Sequence, residues 1–329
     1  MTVARVITET SDATTFVLNW PEAVDYRPGQ FITVRIPSER TGSVARSYSL
    51  SSAPGVDPLP AITVKRTAGG YGSNWLCDNV RAGTSLRVLA PAGVFTPAKW
   101  RSPLRLFAAG SGITPVMSIL KYALSLHSCR VELFYANRDR ESIIFADSLA
   151  ELADRYADRF TLVHWLESDC GLPTPEAIGP WTDADIAAAA FICGPTPFME
   201  LVESALHAAG APATAVHVER YVSLTGDPFT LGDPQTDVAA ATLEVSIDGD
   251  SVTVLCGQGT RLLDAMLAHG VDAPYSCREG DCGSCMARLI EGVVEPGGGL
   301  ALEPEDIADG YILTCQAFPR GESVSIEFE

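Results

Sequence analysis

Eleven consecutive residues constrain this chain more than any other stretch: Tyr275-Ser-Cys-Arg-Glu-Gly-Asp-Cys-Gly-Ser-Cys285. The spacing is Cys277-x4-Cys282-x2-Cys285, and 29 residues separate Cys285 from Cys315. A [2Fe–2S] cluster of the plant ferredoxin type takes four thiolates in such an arrangement, three from a tight loop and one from a distant strand. Gly280 and Gly283 let the loop curl closely around a metal, where a side chain would block the backbone. Curled that way, backbone N–H groups turn toward the sulfurs and offset their negative charge. The alternatives are a structural zinc site or a disulfide knot. Zinc sites usually bring two Cys-x2–4-Cys pairs, and this chain has one such pair. The spacing therefore favours a cluster held by Cys277, Cys282, Cys285 and Cys315.

Charge is unevenly placed around that loop. Residues 1–100 carry 10 basic and 7 acidic side chains (net +3), residues 101–225 carry 9 and 15 (net −6), and residues 226–329 carry 4 and 19 (net −15). Nucleic acid is not an expected partner, because phosphate binding needs the opposite sign. The acidic end offers a surface that steers a basic protein partner, or one that simply aids solubility. A length of 329 residues suggests two or three domains. An apolar content of 47% with 19% charged residues supports packed cores over disorder. The first residues, Met-Thr-Val-Ala-Arg-Val, lack an apolar signal core, and no apolar run approaches the length of a membrane span. The expectation is a cytoplasmic monomer with reduced cysteines.

In chain order, residues 1–102 read as short strands broken by Pro and Gly: Val3–Glu9, Thr14–Asn19, Gln30–Ile36, Arg46–Ser51, Ala61–Arg66 and Ser85–Leu89. Many short strands without long helices predict an antiparallel β-barrel. From 103 to 222 strands and helices alternate. Strands at Leu104–Ala109, Val131–Ala136, Phe160–Leu166, Ala190–Cys193 and Val216–Tyr221 are separated by helices over Val116–Leu126, Ser142–Tyr156 and Pro197–Ala208. That alternation predicts a doubly wound parallel sheet. Residues 223–240 have linker composition. Residues 241–329 predict a small mixed domain with a hairpin across Asp248-Gly249 and a helix over Thr260–Ala268.

Several motifs carry chemistry only through their context. Arg46-Ser-Tyr-Ser49 lies on a predicted strand, where alternation sets Arg46 and Tyr48 on one face and Ser49 on the other. Gly69-Gly-Tyr-Gly-Ser73 reads equally as a phosphate cradle at a helix N-terminus or as a plain turn. Gly110-Ser-Gly-Ile-Thr-Pro115 joins a buried strand to a helix, as nucleotide loops do, but ends in Pro115 where the dinucleotide fingerprint has Gly or Ala. Cys193-Gly-Pro195 ends a strand, where open α/β sheets bind ligands; a lone Cys there otherwise reads as a small core residue. Glu219, near the end of the last strand, reads alone as a surface ion-pair partner.

In this order the motifs resemble the ferredoxin–NAD(P)+ reductase superfamily, and within it the oxygenase reductases that carry a C-terminal plant-type ferredoxin domain. The resemblance covers essentially the whole chain. Gly70-Tyr-Gly-Ser-Asn-Trp-Leu-Cys-Asp78, Phe134-Tyr-Ala-Asn-Arg-Asp139, Phe191-Ile-Cys-Gly-Pro195 and Tyr275-Ser-Cys-Arg-Glu-Gly280 are similar to the reductase components of 3-ketosteroid 9α-hydroxylases, and much of this is shared by phenylacetyl-CoA epoxidase reductases.

The resemblance implies FAD in the barrel, NAD(P)H in the α/β domain, and one [2Fe–2S] cluster in a C-terminal β-grasp domain. For FAD it implies Arg46, Ser47, Tyr48 and Ser49 on the flavin strand, with Lys65, Gly70, Gly72, Ser73 and Thr114 around them. For the nicotinamide nucleotide it implies Gly110, Gly112 and Pro115, then Cys193, Gly194 and Pro195. It assigns Ser49 to the flavin N5 edge, Cys193 to the nicotinamide, and Glu219 to the support of hydride transfer. The aromatic that shields the flavin falls at Tyr221 or Phe229.

NADH delivers electrons as a pair and a cluster accepts one at a time, so a flavin between them serves both. Coenzyme choice turns on Asn137, Arg138 and Asp139: Asp139 suits a ribose hydroxyl, and Arg138 would attract a 2′-phosphate. NADH is favoured. Three functions follow in order of preference. The first is a reductase feeding a Rieske-type terminal oxygenase of steroids or aromatics, and the second a reductase of a diiron epoxidase or monooxygenase. The third is a nucleotide-binding protein with a zinc-bound docking module.

Overall fold

The computed structural model describes residues 1–20, 25–182, 188–230, 240–247, 249–299, 301–302 and 304–328. The second half of the expected linker (231–239) and the hairpin residue Asp248 lie outside the described residues.

The N-terminal strands are β1 (Thr2–Thr8), β2 (Ala13–Asn19), β3 (Phe31–Ser38), β4 (Gly42–Ser49), β5 (Ala61–Lys65) and β6 (Arg87–Val88), with α1 (Tyr71–Asn79) between the last two. They form two three-stranded sheets, β1-β2-β5 and β4-β3-β6. In the first sheet both pairings are antiparallel. Alternate side chains point inward, so Phe16, Leu18, Ile62 and Val64 are fully buried.

The parallel sheet contains β7 (Leu104–Ala109), β8 (Val131–Asn137), β9 (Phe160–Leu166), β10 (Ala189–Cys193) and β11 (Val216–Glu219). Its helices are α2 (Ile113–Leu126), α3 (Ala146–Arg155), α4 (Glu167–Cys170), α5 (Pro175–Thr182) and α6 (Thr196–Ala208). The strand order is β11-β10-β7-β8-β9, all parallel. Every residue of β7 is buried: Leu104, Leu106 and Ala108 join the core that includes Ile113 and Leu120 of α2, and Phe107 and Ala109 the core with Phe198 and Val202 of α6. Covering both faces is what lets a parallel strand read as a continuous apolar run.

Arg105 breaks that run and is only 2% exposed. Its guanidinium donates to Thr182 O (2.9 Å) and Ala188 O (3.1 Å), so it serves the carbonyl end of α5. Sequence reading missed α5. The helix expected from Ser142 starts at Ala146, because Phe145 takes φ 64 and Asp139 caps a separate 3-10 turn over Arg140–Ser142.

Past the linker come β12 (Ala240–Ile247), β13 (Asp250–Gly257), α7 (Leu262–Ala268), β14 (Met286–Glu295), α8 (Pro304–Ala308), β15 (Tyr311–Leu313) and β16 (Phe318–Phe328). They form one sheet in the order β13-β12-β16-β14-β15. Its β12–β16 pairing is parallel and the others antiparallel. Leu243, Val245, Leu263, Met266 and Ile326 make its core, which also takes in Cys285 and Cys315. Compactness divides the molecule differently from sequence order. One unit holds residues 1–31, 47–87 and 95–222, and the other holds 32–46, 88–94 and 223–329.

Candidate functional site

In the first unit the sheet order reverses between β7 and β10, the switch point where open α/β sheets bind ligands. Two loops cross there. A Cβ on Gly112 would stand 2.0 Å from Cys193 O and 2.7 Å from Gly194 N, so only glycine fits where the two backbones pass. Pro115 occupies the first turn of α2, where its missing N–H breaks no helical bond. The Lys65 ammonium stands 3.8 Å from the Cβ position of Gly110, placing a cation beside the turn that enters α2.

Four elements bring side chains to this crossing. Ser49 ends β4 and is buried, Thr114 lies in the first turn of α2, Cys193 ends β10, and Tyr221 follows β11. The Tyr221 hydroxyl lies 2.9 Å from Thr114 Oγ1 and 3.4 Å from Ser49 Oγ. Thr114 Oγ1 donates to Ser111 O at 3.1 Å. Cys193 and Glu219 are directly paired across β10 and β11. Burial, then the nearby Glu219 charge, pushes the Cys193 thiol far above its usual range, so it remains protonated. Glu219 is half-buried by surface area, and desolvation of its carboxyl pushes it from 4.5 up to about 7. Tyr221 as a residue is 50% exposed, but its hydroxyl end sits against Ser49 and Thr114, and burial of that end raises the hydroxyl above its ordinary range. The arrangement is a patch of neutral hydroxyls and a thiol beside one carboxyl that titrates near neutrality.

Ser47 and Tyr48 are half-buried on β4. Arg46 is half-buried and donates to Ala45 O at 2.6 Å within the second unit. At α1, Gly70 is the N-cap and Gly72 and Ser73 are buried in the first turn. Ser73 Oγ accepts from Thr67 N–H (3.0 Å), and Asn74 Nδ2 donates to Thr67 O (2.9 Å) and Gly70 O (2.6 Å). Asn74, part of the run Gly70–Asp78 but given no role from the sequence, therefore shapes the loop at this helix end. Gly194 and Pro195 lead from β10 into α6. At the end of β8, Asn137 is buried with its amide beside the Tyr135 hydroxyl. Arg138 is exposed, and Asp139 Oδ1 accepts from Ser142 N–H at 2.9 Å. Phe229 lies in the second unit, its N–H donating to Asp227 Oδ1 at 3.0 Å.

The cysteine loop belongs to the second unit. Its thiols lie as two pairs, Cys277 with Cys282 and Cys285 with Cys315. In each pair hydrogen bonding between the two sulfurs holds one of them, Cys277 and Cys315 respectively, below the usual thiol range. Backbone N–H groups of Glu279, Asp281 and Cys282 add to the effect at Cys277, the first at 3.3 Å. Ser284 Oγ donates to Cys282 Sγ (3.2 Å) and Gln316 Nε2 to Cys315 Sγ (3.5 Å). Gly280 has φ +87, and a Cβ there would stand 2.7 Å from Gly298 O and 2.8 Å from Gly299 Cα. The run Gly297-Gly298-Gly299 thus closes on the loop, a contact that three successive glycines in the sequence would have signalled.

These observations fit the groups the sequence implies. The side-chain-free crossing at Gly112 and the buried Asn137 amide at the end of β8 suit a dinucleotide at the sheet's carboxyl edge. Two thiol pairs with N–H groups aimed at sulfur suit two irons, each taking two cysteines. Among the described residues no helix is long and apolar enough to cross a membrane.

Comparison with known proteins agrees with this geometry. Residues 1–96 match an oxidoreductase FAD-binding domain, 106–204 an oxidoreductase NAD-binding domain, and 245–320 a 2Fe-2S iron-sulfur cluster binding domain. The ferredoxin reductase component of 3-ketosteroid-9-alpha-monooxygenase from Rhodococcus rhodochrous is 51% identical over 337 residues, covering 100% of this chain and 96% of the relative. One component of the 1,2-phenylacetyl-CoA epoxidase of Escherichia coli (strain K12) is 33% identical, covering 100% of this chain and 97% of that one. Phthalate dioxygenase reductase shares the fold, with a TM-score of 0.60 at 23% identity over 99% of this chain and 97% of that one. With its FAD-binding, NAD-binding and 2Fe-2S domains in that order, the chain belongs to the monooxygenase reductase components of the ferredoxin–NAD(P)+ reductase superfamily, NAD(P)H-dependent oxidoreductases that pass electrons to a terminal oxygenase.

Proposed function

We propose that this chain draws its electrons from NADH and delivers them to a Rieske-type terminal oxygenase acting on a steroid. The observation that carries the oxygenase assignment is the 51% identity, over its whole length, to a 3-ketosteroid-9-alpha-monooxygenase reductase component. NADH is supported by Asp139 at the end of β8, a carboxylate suited to a ribose hydroxyl and repelled by a 2′-phosphate. The domain limits we propose are 1–102, 103–222 and 241–329, and the protein acts as a monomer.

When bound, FAD accepts electrons as a hydride and releases them singly to the [2Fe–2S] cluster. The chain's own groups hold and orient. Lys65 and the loop that begins α1 would hold the FAD phosphates, and Ser49 Oγ would bond to the flavin edge; Arg46 would add a cation for FAD, as the resemblance implies. Gly110, Gly112 and Pro115 leave room for the dinucleotide against the sheet, and Asn137 and Asp139 bond to it. Cys193, kept as a neutral thiol, presents a small uncharged wall to the nicotinamide. Glu219, ionised above about pH 7, opposes its charge to the positive charge that grows on the nicotinamide ring as hydride leaves. Tyr221 would be the aromatic that shields a bound flavin.

The test is reconstitution with purified oxygenases, scored as product formed per NADH consumed. A steroid-hydroxylating Rieske oxygenase should couple near one product per NADH. Coupling only to a diiron epoxidase would replace this reading with the second one, and faster turnover with NADPH would reverse the coenzyme assignment.

A further inference from the structure

Glu279 follows the ligand Cys277 by two residues. Its Oε1 accepts three hydrogen bonds, each of 2.7 Å, from Thr225 N–H, Thr225 Oγ1 and Gly226 N–H. Its own backbone N–H donates to Cys277 Sγ at 3.3 Å. A single residue therefore ties a cluster ligand to the start of the segment with linker composition.

That segment is itself fixed. Asp227 accepts from Phe229 N–H (3.0 Å) and Thr230 N–H (3.1 Å) and from the Ser43 hydroxyl. Arg278, which pairs with Asp264, donates to Thr230 O at 2.6 Å. The loop needs such support, because Arg278 has φ 60, a conformation strained for any residue with a Cβ.

We propose that Glu279 is a positioning residue for the cluster: latched to Thr225-Gly226, it keeps its N–H on the Cys277 sulfur and so holds the cluster's reduction potential up. The proposal rests on the [2Fe–2S] reading. An N–H donated to sulfur stabilises the extra negative charge of the reduced form. The Glu279 carboxylate charge acts in the opposite sense, so a test must separate the two effects.

Redox titration of the full-length, cofactor-loaded protein, followed by electron paramagnetic resonance, separates them through Glu279→Gln, Glu279→Ala and Thr225→Val. Gln and Ala both remove the charge, but only Gln keeps an oxygen for the three donors. The expected result is a more negative midpoint potential in Glu279→Ala than in Glu279→Gln. Thr225→Val, with the charge intact, should fall below wild type. Amide hydrogen exchange over residues 223–230 should rise about tenfold in Glu279→Ala and little in Glu279→Gln. Equal potentials for the Gln and Ala variants overturn the proposal. If Glu279→Ala assembles no cluster, Thr225→Val decides, and a potential equal to wild type overturns it. A wild-type protein showing no cluster resonance after reduction overturns the iron–sulfur reading, and the proposal with it.

Discussion

Cys277, Cys282 and Cys285 lie within nine residues of one another, whereas the hydroxyls of Ser49 and Tyr221 meet across 172 positions of sequence. On the proposed function, two kinds of chemistry account for the difference. A cluster is held by its ligands, so the ligands must carry their own spacing, and the loop must bend to suit them. Hydride transfer needs two large flat molecules held face to face, so its site forms where separate sheets and helices end. The first kind of site is dense in one motif and the second is dilute in several. The cysteine loop is also stabilised locally, through N–H groups and glycine contacts. The strand-end site depends on the register of β10 against β11 and on the crossing at Gly112.

The largest expected effect separates the two sites outright. Cys315→Ser should remove cluster reduction while NADH still bleaches the flavin. Cytochrome c reduction at the full wild-type rate in this variant would break the comparison. Gly112→Ala should act on the strand-end site alone. The added Cβ displaces the Cys193 backbone and should cost about 1–3 kcal/mol in urea unfolding, with NADH affinity falling and the visible spectrum of the cluster retained.

Glu219→Ala should slow flavin reduction in stopped-flow about 10- to 100-fold, more than it weakens FAD binding. Because burial raises Glu219 to about 7, flavin reduction in the wild type should rise with pH through that value, and Glu219→Gln should flatten the profile. The same shift has a stability sign. The folded chain holds this proton after the unfolded chain has released it, so stability falls as pH rises from about 4.5 to about 7, and Glu219→Gln should lessen that fall in thermal melts. Tyr221→Phe removes a hydroxyl shared with Thr114 and Ser49 and should change the reduction rate by about 0.5–1.5 kcal/mol equivalent, with no effect on the cluster's potential.

The same contrast explains what the sequence discloses. The cysteine spacing names its cofactor directly. The switch-point residues are legible only because Gly110-x-Gly and Cys193-Gly-Pro195 each follow an apolar strand, and their meeting depends on strand order, which no local pattern states. Glu219 reads as a surface carboxylate, because its burial comes from elements elsewhere in the chain. Arg105 breaks an apolar run without changing the strand reading, and it donates to the carbonyls of Thr182 and Ala188. Tyr221 and Phe229 are equivalent as sequence, and the structure puts Tyr221 beside Ser49 and Thr114. The segment 225–230 has the composition of a loose linker, yet Glu279, Arg278 and Ser43 hold it through contacts that composition cannot show.

The central claim is that electrons enter at the strand-end site and leave through the cysteine loop. Anaerobic stopped-flow mixing of Cys315→Ser and wild type with NADH, recording flavin and cluster absorbance together, tests it most directly. Flavin should bleach at the same rate in both proteins, followed by cluster bleaching in the wild type alone. Cluster bleaching ahead of the flavin, or a flavin in Cys315→Ser that NADH no longer reduces, would contradict it.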